Sequence, residues 1–182
     1  MTTQKLFLTT SLAACIAAIA CRTGNQGIDE GDIPVQATVD TVRGVLSSVG
    51  SEPSTELVIA QATGTRLVVT GGQVARLKSL GKVEVMLSGR YPGLRSVTAA
   101  PGGLRAFEAD RFVVRAADGI AAYDGVIVRE GDKYFLIAAS GRRWPADHLP
   151  ELLRGLVGSR VFLAGPLDRD PAAYGVISEP GK

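Results

Sequence analysis

The sequence holds few of the side chains that carry out chemistry in proteins. Histidine occurs once, at His148, and cysteine twice, at Cys15 and Cys21. A single histidine excludes zinc sites built on paired histidines. Because no cysteine follows Cys21, the rest of the chain has neither a disulfide framework nor a Cys-based metal or redox site.

The common catalytic motifs are also missing. The chain contains no Gly-x-Ser-x-Gly, no eight-residue phosphate loop and no Gly-x-Gly-x-x-Gly. Asp147 and His148 lie near the start of a predicted helix, and adjacent helical residues do not face each other. We therefore interpret His148 as an exposed residue and not as a general base. The prediction is a protein with no enzymatic activity, no catalytic residue, no cofactor and no metal.

Charge is low and balanced. Lys and Arg number 20 and Asp and Glu 18, which gives a formal net charge of +2. A strong excess of positive charge is the usual mark of a nucleic-acid partner, so we predict none here. The hydrophobic content of 46% is typical of a folded domain.

The longest apolar run lies at the N-terminus. Lys5 is the one charge in residues 1–20, and an uncharged apolar run extends from Leu6 to Ala20. That run is shorter than the roughly 20 residues that a membrane-spanning helix needs. A basic start, an apolar core and small residues before a cut site are typical of a secretory signal peptide, which we assign to residues 1–20.

The residues that end this segment, Ala18-Ile19-Ala20-Cys21, resemble the lipobox of bacterial lipoproteins. The resemblance implies that Cys21 is lipidated and anchors the protein to a membrane of the cell envelope. Residues 21–38 would then be a flexible tether. Because Arg22, not Asp, follows the cysteine, the resemblance implies an outer membrane location, facing the periplasm, in a Gram-negative organism. Conventional cleavage after Ala20 is the alternative.

Beyond the tether, short runs rich in β-branched residues alternate with Gly, Pro and Ser, which is a strand pattern. The period changes within Gly72–Leu80, where apolar residues recur every three positions. That spacing predicts a short amphipathic helix closed by Gly81.

The second half of the sequence follows the same plan. Strands are predicted from Gly125 onward, and a helix is predicted to begin at Pro145 and to end at Gly158. Gly64 and Gly141 stand at corresponding corners between strands. The shared order of elements predicts an internal duplication.

Three strands, a short helix and two further strands resemble the OB-fold, a small five-stranded barrel. The resemblance implies a mainly β protein with two tandem OB-like barrels, at residues 39–118 and 119–182, each with a short helix between strands 3 and 4. A pair of SH3-like barrels is the alternative fold. Leu94–Ala99 or Phe107–Arg115 supplies the fifth strand of the first barrel, and Tyr174–Ser178 that of the second.

OB barrels commonly bind ligands on the face of their second and third strands. By this resemblance the face would draw on the following residues: Leu57, Ile59, Arg66, Val68, Phe135, Arg142, Arg143 and Trp144. Arg142-Arg143-Trp144 is the best candidate patch, because Arg and Trp offer charge, stacking and cation–π contacts. In the alternative interpretation Trp144 fills the barrel core or the seam between the repeats.

Two functions agree with these observations. The first is a protein-interaction or scaffolding module at the membrane surface, which would bind an envelope protein through a barrel face or an open sheet edge. The alternative is a module that binds a glycan or another small envelope ligand at Arg142, Arg143 and Trp144.

Overall fold

The computed structural model describes residues 39–51, 55–92 and 104–181, all of which belong to one compact unit. The predictions for the signal peptide, Cys21 and the tether fall outside these residues, as does the candidate strand Leu94–Ala99. Within the described ranges, no helix is both long enough and apolar enough to cross a membrane.

The first half forms five strands and one helix: β1 (Asp40–Val49), β2 (Glu56–Ala60), β3 (Arg66–Thr70), α1 (Val74–Ser79), β4 (Val83–Arg90) and β5 (Arg105–Ala117). In β1 the residues Val42, Gly44 and Leu46 are buried and those between them are exposed, as expected for a strand with one face on a core. The alternative that placed the fifth strand at Phe107–Arg115 is confirmed, because β5 contains it.

The five strands of the first half close on themselves. β1 pairs with β2 and with β4, and β2 pairs with β3, in each case antiparallel. β3 pairs with β5 in parallel, and β5 returns to β4. This ring encloses a core of large apolar side chains, among them Leu46, Ile59 and Phe107. Leu77 is the buried residue of α1 and belongs to the same core.

The second half also forms five strands and one helix: β6 (Ile120–Glu130), β7 (Lys133–Ile137), β8 (Arg143–Pro145), α2 (Glu151–Arg154), β9 (Arg160–Ala164) and β10 (Ala173–Ser178). The predicted mainly β class is confirmed, and each half carries its helix between its third and fourth strands. The predicted strand Tyr174–Ser178 lies within β10.

The second half stays open where the first half closes. β6 pairs with β7 and β9, β7 with β8, and β9 with β10. In the described part of the chain, β8 and β10 make no pair with each other. β8 has three residues and ends at Pro145, which has no N–H to donate to a further strand.

α2 is shorter than the helix predicted from Pro145 onward. It begins after Pro150, whose φ of −51° and ψ of 140° are not helical. A proline disfavours the helical conformation in the residue before it, so the chain cannot enter the helix at Leu149. Leu149 and Leu153 are nevertheless buried in the core of the second half.

The two halves share local geometry at corresponding turns. Gly64 N donates to the carbonyl oxygen of Gln61 at 3.0 Å, and Gly141 N donates to that of Ala138 at 2.9 Å. Both glycines have a positive φ, 86° and 82° respectively, a conformation that costs glycine little and other residues more. The β2–β3 and β7–β8 connections are therefore the same kind of turn.

The halves are joined by a tight hairpin and share a core. Asp118 (φ 50°) and Gly119 (φ 78°) connect β5 to β6, which is the left-handed pair that a two-residue hairpin favours. Phe162 and Ile177, from β9 and β10, pack within the core cluster of the first half. The second half thus covers part of the first.

Candidate binding cleft

A cleft of about 510 Å³ lies where the two halves meet, and we call it the join cleft. Residues from both halves line it: Arg43 on β1, Arg115 on β5, Tyr123 on β6, Trp144 on β8, Arg160 on β9, and Arg142, which directly precedes β8. Its volume falls within the roughly 300–1,000 Å³ range of small-molecule sites.

Trp144 supplies an aromatic wall of the join cleft. Its ring meets that of Tyr123 edge to face, with centroids 5.2 Å apart and planes at 73°. The side chain is half-buried at the margin of the core of the second half. Its Nε1 is buried and has no hydrogen-bond partner within the described ranges. Trp144 therefore lies at the seam, as one of the two sequence interpretations holds, and it also lines the cleft.

Arg142 lies beside this wall. The Gly141 turn fixes its backbone, because the Arg142 carbonyl accepts the Ala138 N–H at 2.8 Å. Its guanidinium carbon lies 5.4 Å from the centroid of the Trp144 ring, within the range of a cation–π contact. The rest of the side chain is exposed to solvent.

Arg143 points away from this pair, because successive residues of a strand face opposite sides. Its two terminal nitrogens donate to Glu130 at 2.7 and 2.6 Å, and its guanidinium carbon lies 3.5 Å from the centroid of the Phe135 ring. The hydrogen bond from Arg143 lowers the pKa of the Glu130 carboxyl. Arg143 does not line the join cleft.

The other residues of the predicted face also lie elsewhere. Arg66 is exposed at the start of β3, opposite Ala60, and does not line the cleft. Leu57, Ile59 and Val68 are buried in the first half, so they offer no open surface. The four predicted site residues were Arg66, Arg142, Arg143 and Trp144. The structure brings Arg142 and Trp144 together in the join cleft.

A buried ion pair forms part of the cleft and was not predicted. Asp124 on β6 accepts from Arg160 Nε at 2.7 Å and from Arg160 Nη2 at 2.8 Å. The Asp124 side chain is 3% exposed and that of Arg160 27%. Asp124 also accepts the backbone N–H of Val114 at 2.7 Å, and Arg160 donates to the Phe112 carbonyl at 2.6 Å.

This pair satisfies backbone groups on the edge of β5 that faces β6, at positions where no described strand pairs with that edge. β5 pairs with β6 only at Ala116 and Ala117, after which the strands part. The N–H of Val114 and the carbonyl of Phe112 would then lack partners, which is costly for buried groups. Asp124 and Arg160 take the place of a strand at this gap. A sequence signal exists: Asp124 is an acidic residue within the apolar run that leads from Ala121 to Val128.

Arg115 enters the cleft through an irregularity of β5. Val85 of β4 pairs with Val114, but Glu84 pairs with Ala116, so Arg115 is an extra residue in the ladder. Such a bulge re-aims the side chain that it carries. The Arg115 side chain is exposed and lines the join cleft.

Residues with potential for catalysis or metal binding are not gathered in the described part of the chain. His148 Nδ1 lies 3.5 Å from a carboxylate oxygen of Asp170, not from Asp147, and both side chains are solvent-exposed. Across residues 39–51, 55–92 and 104–181, no three His, Cys, Asp or Glu side chains cluster closely enough to hold a metal ion.

Scans against protein-family models, curated proteins and solved structures gave no match.

Proposed function

We propose that the protein is a non-enzymatic lipoprotein of the cell envelope, held to the membrane by a lipid on Cys21, and that it binds a glycan in the join cleft. Its folded part is proposed to be a tandem pair of OB-like barrels. The ring order β1-β2-β3-β5-β4, with a helix between the third and fourth strands, supports this for the first half. The matching element order supports it for the second.

One observation carries the binding proposal. The Arg142 guanidinium lies 5.4 Å from the Trp144 ring centroid in a cleft whose wall continues into Tyr123. An aromatic ring packs against the apolar face of a sugar, and a guanidinium donates to its oxygens. The cleft therefore offers the two contacts that hold a carbohydrate in a fixed orientation.

The test is a thermal-shift measurement on the full-length protein with oligosaccharides released from envelope glycans. A ligand that binds the folded state raises the melting temperature. We expect a rise for the wild type and none for Arg142→Ala combined with Trp144→Ala. Arg66→Ala is the matched control, because Arg66 follows the corresponding turn of the first half and lies outside the cleft. A rise that persists in the double variant, with its own cooperative melting intact, would overturn the proposal.

A second candidate function is scaffolding through a sheet edge. β10 has β9 as its one strand partner in the described part of the chain, and its exposed residues include Tyr174 (43%) and Val176 (37%). An extended segment of another envelope protein would add to such an edge by main-chain hydrogen bonds. Val176→Lys should abolish capture of that protein if this candidate is right.

A further inference from the structure

We infer that the ligand of the join cleft is an acidic sugar, and that Arg115 and Arg142 bind its carboxylate or phosphate. The inference rests on the proposed glycan site and names the chemical class of its ligand. Four arginines and one aspartate line the cleft.

Two of the four arginines are already neutralised by carboxylates. Arg160 is held by Asp124 at 2.7 Å. Arg43 is ion-paired with Glu84, its diagonal neighbour across the β1–β4 ladder. These two guanidinium groups have structural partners and are not free to bind a ligand.

The other two arginines have no carboxylate partner within the described residues. Arg142 contacts the Trp144 ring and forms no ion pair there. Arg115 is placed in the cleft by its bulge, and it too forms no ion pair with a described residue. Both side chains are exposed, so both are accessible to a ligand.

The unpaired charge decides between a neutral and an acidic ligand. A neutral sugar would cover two guanidinium groups and remove water from them without supplying a countercharge, which is unfavourable. A carboxylate or phosphate supplies that charge and accepts charge-assisted hydrogen bonds, which are about twice as strong as neutral ones.

Trp144, which lines the cleft, is the one tryptophan of the chain and serves as a fluorescent probe of binding there. Its fluorescence therefore reports on the join cleft alone. The full-length protein would be titrated with digalacturonic acid, with maltose 1-phosphate and with neutral maltose. The two acidic probes distinguish a carboxylate from a phosphate, and maltose is the uncharged match of maltose 1-phosphate.

We expect at least one acidic probe to bind roughly tenfold or more tightly than maltose, since hydrogen bonds to charged groups are the stronger class. Arg115→Gln and Arg142→Gln should each remove most of that advantage, and Arg66→Gln should leave it unchanged. Added salt should weaken the acidic probes and not maltose.

The outcomes separate the inference from the proposed function. If maltose binds as tightly as the acidic probes, the glycan site stands and the inference of an acidic ligand is overturned. If an acidic probe binds but Arg115→Gln and Arg142→Gln bind it equally well, the assignment of these two residues is overturned. If no acidic probe binds, read both by Trp144 fluorescence and by thermal shift, the inference is overturned, and the thermal-shift test with envelope oligosaccharides decides the proposed site separately.

Discussion

The two halves of the molecule follow one order of elements but differ in whether their strands close into a ring. In the first half β3 pairs with β5 and closes the ring. In the second half the three-residue β8 does not pair with β10, and the sheet stays open in the described structure. The open half is completed by packing Phe162 and Ile177 into the core of the closed half. The join that results is where the cleft forms.

An ion pair stands at corresponding positions of the two halves with its signs exchanged. Arg43 lies two residues before Val45, which pairs with Glu84, and Arg43 is bonded to Glu84.

In the second half Asp124 lies two residues before Val126, which pairs with Arg160. The Glu84 carboxylate is partly exposed, at 28%, whereas the Asp124 carboxylate is buried, at 3%, and bonds to the backbone of β5. The same position is thus a surface contact in one half and the connection between halves in the other.

The largest expected effect comes from breaking the buried pair. Asp124→Ala leaves Arg160 and the Val114 N–H without their partner, and we expect a loss of about 3 kcal/mol in the free energy of unfolding. Urea denaturation measures it. Glu84→Ala, the corresponding change in the first half, should cost about 1 kcal/mol or less because solvent reaches both partners of that pair, Arg43 at 61% and Glu84 at 28% exposure. Equal losses in the two variants would contradict the different roles assigned to the pairs.

A smaller effect tests the likeness of the halves. Gly64→Ala and Gly141→Ala each place a side chain on a residue with positive φ, and each should cost about 1 kcal/mol. Because the two turns have the same hydrogen bonds, we expect similar losses in urea denaturation. A cost at one turn and none at the other would show that the turns are not equivalent.

The smallest effect concerns pH. Hydrogen bonding to Arg143 lowers the Glu130 pKa from its ordinary 4.5, so the ionised carboxylate stabilises the folded state. That contribution is complete above the unfolded pKa and disappears as the pH falls through the lowered folded pKa.

Arg143→Ala should therefore melt slightly below the wild type at neutral pH, and the two melting temperatures should converge in acid. Arg66→Ala should show no such convergence, because Arg66 forms no ion pair with a described residue. A constant difference for Arg143→Ala across this pH range would count against the assigned role of the pair.

The sequence predicts those parts of the fold that depend on neighbouring residues. Alternation in β1 and β4, the glycine turns at Gly64 and Gly141, and the end of α1 before Gly81 follow from local preferences. The same reasoning overestimated α2, because the apolar spacing outweighed the effect of Pro150 on the residue before it. Local pattern also explains why Arg142, just before β8, lies on the same side of the chain as Trp144, and why Arg143 lies on the other.

The rest of the site depends on contacts between distant residues. Asp124 and Arg160 are separated by 36 positions, and Arg160 reaches Phe112 across 48. Their pairing follows from where β5 and β6 part, which no local pattern specifies. The position of Arg115 in the cleft could not be predicted from the sequence for a similar reason, because its bulge exists only in the register between β4 and β5.

Photo-cross-linking in native cells tests the central claim most directly, which is that the join cleft is the ligand site. A benzophenone side chain would be placed at Ala139, which lines the cleft, at Ala62, which occupies the corresponding turn of the first half, and at Tyr174 on the β10 edge. The three positions are exposed. We predict a carbohydrate adduct from Ala139 and none from Ala62 or Tyr174. A protein adduct from Tyr174, with no carbohydrate captured at Ala139, would contradict the claim and favour the sheet-edge scaffold.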